Sequence, residues 1–105
     1  MEQTQVKFNV GQVIQHKLFK YRGVVVDVDA LFQNTDEWYD LMAKTRPSKQ
    51  QPWYHILVDE TDYITYVAEQ NMLPETSGLP VKHPEIEKYF ECLDNGVYVT
   101  KRTNQ

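Results

Sequence analysis

At 105 residues with 41% hydrophobic and 12% aromatic content, the chain has the makeup of one folded domain. Such a domain buries roughly 65% of its unfolded surface, which leaves little room for an elaborate enclosed site. A net charge of −4 works against sequence-independent DNA binding, whose affinity comes from counterions released by clustered Lys and Arg.

In chain order, residues 1–5 are expected to be a flexible N-terminus, and residues 10–16 read as a strand interrupted early by Gly11. A basic and aromatic bend from His16 to Arg22 follows. Residues 21–28 form a stronger strand, in which Val24, Val26 and Val28 are expected to share one face and Val25 to cover the other. Apolar cover on both faces suits a small closed barrel better than an open sheet with one wet face. Thr35 is placed to cap a helix over residues 36–44, with Asp36 and Glu37 in its first turn and Trp38, Leu41 and Met42 along one face. Pro47 helps to end it.

Residues 53–58 and 63–67 are two more strands, joined by the polar residues Asp59, Glu60, Thr61 and Asp62, and residues 71–73 add a short fifth. Pro84 then opens an expected helix near 84–94, with Ile86, Tyr89, Phe90 and Leu93 at i, i+3, i+4, i+7 and Asn95-Gly96 as its left-handed stop. Residues 97–100 return as a strand, and 101–105 are expected to form a disordered tail. The pattern is mainly β: a small SH3-like β-barrel with one or two short helical insertions, spanning residues 6–100.

Charge is uneven. Lys7, Lys17, Lys20 and Arg22 against Glu2 leave residues 1–26 at +3, whereas 27–62 carry −5 and 63–105 carry −2. A basic face would have to combine the bend at Lys17, Lys20, Tyr21 and Arg22 with the loop at Lys44, Arg46 and Lys49. Aromatic residues beside those cations, namely Trp53 and Tyr54 with His55, suit a nucleic acid or a peptide, and they equally suit barrel packing. If one side of that strand faces outward, Trp53, His55 and Leu57 lie on it together.

Other chemistry finds little support. His16, His55 and His83 are the only histidines and lack zinc-type spacing, so no metal or cofactor is expected. Asp27 and Asp29 share a side at a strand exit, where paired acids are ordinarily solvated. Cys92 is the only cysteine, which excludes an intrachain disulfide and fits a reducing, cytoplasmic compartment. Its acidic neighbours Glu91 and Asp94 raise a thiol pKa. Residues 1–9 lack a secretory pattern, and no apolar run reaches the length of a membrane span.

Residues 10–29 (VGQVIQHKLFKYRGVVVDVD), 52–60 (PWYHILVDE) and the run TYVAEQNM at 65–72 together resemble the YccV-like family, also called the hemimethylated DNA-binding domain. Heat shock protein HspQ and the C-terminal domain of an F-box protein are among its members. The resemblance covers roughly residues 6–73, and residues 83–98 look like the longer form of the domain. An initial Met and an end soon after the domain fit a free-standing protein. The resemblance implies an SH3-like barrel, no catalysis and one of two roles. One is interaction with a protein partner, a protease or its substrates, in stress response and regulated proteolysis. The other is DNA binding with a preference for hemimethylated DNA. Self-association is left open.

Overall fold

The computed structural model describes residues 5–101. The terminal segments 1–4 and 102–105, most of the expected flexible start and tail, lie outside the described residues. Antiparallel strands β1 (Val13–His16), β2 (Arg22–Asp29), β3 (Trp53–Val58), β4 (Ile64–Ala68) and β5 (Met72–Pro74) form one sheet in the order β4-β3-β2-β1-β5. A second sheet is the hairpin of β6 (Phe90–Asp94) and β7 (Val97–Thr100). Helix α1 (Asp36–Met42) lies between β2 and β3, and the single turn α2 (Ile86–Tyr89) precedes β6. The architecture is mainly β, and no helix among the described residues is long and apolar enough to cross a membrane.

Only a 3-10 turn, Glu69–Asn71, separates β4 at one edge of the large sheet from β5 at the other. Three residues at ~2 Å rise each span so little that the sheet must curl to bring its edges close. No β4–β5 ladder closes it among the described residues, so the expected closed barrel is observed as a curled, open five-stranded sheet.

Both faces of this sheet are covered, as the valine-rich strands predicted. Tyr54 and Ile56 point from β3 into a core with Phe8, Ile14, Val25, Val67 and Met72. Trp53 and Leu57 point the other way. Leu57 packs under the C-terminal hairpin with Val24, Val81, Phe90 and Tyr98, and Trp53 packs under α1 with Tyr39, Ala43 and Ala68. Between these two caps the outer face stays open at His55.

A β-bulge changes the expected alternation on β2. The register passes from Val25↔Ile56 to Asp27↔His55, leaving Val26 unpaired. Val26 packs with Val24, but Val28 is carried round to the side of Val25. In α1, Thr35 caps as predicted, its Oγ1 accepting from the Trp38 N–H at 3.0 Å. Its buried face, however, is that of Tyr39 and Ala43, whereas Leu41 and Met42 are exposed. The Tyr39 ring meets Phe32 and Trp53, and its hydroxyl donates to the Pro47 carbonyl at 2.8 Å.

The helix expected over residues 84–94 ends at Tyr89, and Phe90–Asp94 is strand. Asn95 and Gly96, at φ +54° and +84°, form a two-residue hairpin turn, which needs positive φ at both positions. That turn chemistry prevails over the apolar spacing. The spaced residues still pack inward: Phe90 is buried, with Ile86, Tyr89 and Leu93 against the same cluster. Cys92 is exposed on β6.

Gly11 joins the hairpin to the sheet. It donates to the Val25 carbonyl, accepts from the Tyr98 N–H (both 2.8 Å), and sits at φ +96°. A Cβ here would overlap the Tyr98 carbonyl oxygen. Gly11→Ala is therefore expected to destabilise by about 2–4 kcal/mol through strained backbone and displaced hairpin; urea denaturation measures it.

Candidate nucleic-acid interface

A cleft of about 400 Å³ lies along strand β4, between the residue 17–21 bend and the residue 43–47 loop. Asn71 ties the walls together. Its carbonyl accepts the Lys17 N–H at 2.7 Å, and its Nδ2 donates to Thr45 Oγ1 at 3.2 Å. The two basic segments singled out in the sequence thus meet across one residue.

His16 shapes the bend. Its ring is buried, 5% exposed, and Nδ1 accepts the N–H groups of both Leu18 and Phe19 at 3.1 Å. The Phe19 ring stacks on it at 4.6 Å, and Tyr21 lies 5.1 Å away. Phe19 itself is 63% exposed at the rim of the cleft. Burial lowers the His16 pKa below its ordinary value. A depressed histidine contributes stability that is fully present above the unfolded-state pKa and is lost as pH falls through the folded-state one. Thermal unfolding followed from about pH 7 to about pH 5 is expected to show this loss, and His16→Gln to flatten that part of the slope.

The opposite wall is aromatic. Tyr66 stacks on Trp53 at 5.2 Å and lies 5.5 Å from Trp38 and 4.6 Å from His55. Strand β4 is an edge of the sheet. The bonds Val58 N–H to Tyr63 C=O and Glu69 N–H to Pro52 C=O set the phase of its ladder. Thr65 and Val67 therefore turn their backbone groups toward β3, and Ile64 and Tyr66 turn theirs to the open edge.

The expected contact residues divide into three groups. Lys17, Lys20 and Lys44 are exposed and make no ion pair among the described residues; Tyr21, half-buried, lines the cleft and shares a 3.1 Å hydrogen bond with Thr65 Oγ1. Arg22, Arg46 and Lys49 are already engaged. Arg22 pairs with Asp59 and Glu75 at 2.8 Å each and donates to the carbonyls of Leu79 and Pro80. Arg46 pairs with Asp40, and Lys49 with Asp36, both over the Tyr39 ring. Trp53 and Tyr54 are 1% and 0% exposed, so they support the site from beneath and present no face to a partner. Of the outer trio on β3, only His55 reaches solvent, since Leu57 is also fully buried.

Residues that sequence reading passed over matter as much. Phe19, Trp38, Tyr66 and Asn71 come from four separate elements and meet only through the fold. The bulge also places Asp27 and Asp29 beside His55, with a ligand atom from each within 4.8 Å of the others. Hydrogen bonds account for this group: Asp29 Oδ2 accepts from the Tyr66 hydroxyl at 2.7 Å and lies 3.2 Å from His55 Nε2. Burial first, then the bond to Asp29, raises the Tyr66 phenol above its ordinary pKa.

The described residues thus form a small, mainly β domain with an aromatic cleft between its two basic segments and acids on the adjoining face. The sequence matches the family described as hemimethylated DNA-binding protein YccV like over residues 6–97, and the chain belongs to that family.

Proposed function

We propose that this protein is a non-enzymatic, cytoplasmic DNA-binding module, comprising residues 6–100, whose interface is the cleft along β4, with Lys44 in its lining and Lys17 and Lys20 in the bend beside it. One observation carries the reading: the bend and the loop, the two basic segments, meet at Asn71. The family's description adds to it. A partly open SH3-like barrel, lacking a β4–β5 ladder among the described residues, is the fold reading that goes with it, supported by the strand order and by the 3-10 turn leading into β5 beside β1. A preference for hemimethylated DNA follows from the family description alone.

Binding is expected to weaken with salt, and alanine at Lys17, Lys20 and Lys44 together is expected to lower the log–log salt slope by about 2–3. Titrating fully methylated, hemimethylated and unmethylated duplexes at two salt concentrations tests the preference. Equal, weak binding to all three removes it.

A second reading, interaction with a protease or its substrates in stress response, is favoured by the open β4 edge, to which an extended peptide can add as a strand. A pulldown from stressed cells that recovers neither a protease component nor a client counts against it.

A further inference from the structure

We infer that the cleft takes one unpaired base of a DNA strand rather than the edge of a stacked base pair. The inference rests on the DNA-binding reading and narrows it to a substrate class. Charge is the first argument. Strongly salt-dependent duplex binding engages about 6–10 phosphates, whereas ion pairs engage Arg22, Arg46 and Lys49. That leaves Lys44 in the cleft lining and Lys17 and Lys20 in the adjoining bend as the unpaired cations of the two basic segments among the described residues. The acids Asp27 and Asp29 on the adjoining face further confine phosphates to the lysine side. Affinity must then come from the bases.

Shape and chemistry agree. At about 400 Å³ the cleft lies within the ~300–1,000 Å³ of sites that enclose a small ligand. A base stacked within a duplex does not reach such a floor, and one taken out of the stack does. Phe19 offers a large apolar face to solvent at the rim, with only one side of its ring covered by His16. Trp38 and Tyr66 line the far wall. Polar groups suited to a base edge are present too: the outward N–H and C=O of Ile64 and Tyr66, and Asn71, held in place by its bond to Thr45. Lys17 and Lys20, in the bend tied to Asn71 by the Lys17 N–H, and Lys44, in the cleft lining, give the backbone a path past Asn71.

Fluorescence anisotropy with the intact chain provides the test. A mixed-sequence DNA strand, its matched duplex, and that duplex carrying one base opposite an abasic site are compared at one salt concentration. The single strand and the abasic duplex are expected to bind about tenfold tighter than the matched duplex. Phe19→Ala is expected to reduce single-strand affinity about fivefold or more while lowering the melting temperature by only a few degrees, since the side chain lies largely in solvent and loses only its stack on His16. Equal affinity for matched duplex and single strand overturns this inference and leaves DNA binding standing. No binding to any of the three overturns both. Unchanged affinity in Phe19→Ala overturns the cleft as the site, and tighter binding of an RNA strand of the same sequence overturns DNA as its occupant.

Discussion

Trp53→Ala is expected to cost about 3–5 kcal/mol of stability, the range for removing a large aromatic from a packed core. At 1% exposure Trp53 is enclosed by Tyr39, Ala43 and Ala68, with the rings of Phe32 at 4.9 Å and Tyr66 at 5.2 Å. Its Nε1–H donates to the Ser48 carbonyl at 3.2 Å, which also accepts from Gln51 Nε2 at 2.9 Å, so truncation leaves a cavity and removes one of that carbonyl's two hydrogen bonds. In a domain of this size the melting temperature falls by at least about 12 °C. Guanidinium denaturation checks the loss, and a cost below about 1 kcal/mol contradicts the burial. The contrast with Phe19→Ala is informative, because that exposed ring is expected to matter far more for binding than for folding.

Arg22→Ala is expected to destabilise by about 3 kcal/mol. The guanidinium, with 19% of its side chain exposed, ties the start of β2 to the β3–β4 hairpin through Asp59 and to the segment after β5 through Glu75. Its other donors hold the carbonyls of Leu79 and Pro80. Removing it takes the cationic partner from two partly buried carboxylates, which keep only the donors of Ser77 and the Lys82 N–H, and Arg22→Lys rescues little because an ammonium lacks the planar fork. Acidity modulates the effect in a definite direction. Burial pushes the Glu75 carboxyl up, but hydrogen bonds from Ser77 and Arg22 outweigh it and hold the group below its ordinary pKa. A depressed carboxyl stabilises above the unfolded-state pKa, and this stabilisation is lost as pH falls through the folded-state value. The cost of Arg22→Ala is thus expected to be largest near neutral pH and to shrink below about pH 4.

Much of the fold was legible because it depends on local chemistry. The Thr35 cap needs only a hydroxyl before Asp36, and the polar run at Asp59, Glu60, Thr61 and Asp62 turns β3 into β4 as its composition implies. Errors arose where two local signals competed. The Ile86, Tyr89, Phe90 and Leu93 spacing fits a helix, but Asn95-Gly96 with a strand on either side is the stronger signal, and β6 pairs with β7. The bulge at Val26 leaves no mark in a run of valines, so the side taken by Val28 could not be read from alternation. The site was the least legible part. Basic bend and basic loop were visible, but their meeting depends on Asn71, far from both in the chain. Likewise, the burial of Trp53 and Tyr54 depends on which elements cap each face of β3.

The most direct test of the cleft as the interface is an amide chemical-shift titration of the labelled protein with a DNA strand. The account predicts the largest shifts at Phe19, Lys44, Thr45, Tyr66 and Asn71, with the C-terminal hairpin unaffected. Shifts centred on Cys92 and Val99, or spread evenly with none at Asn71, would contradict it.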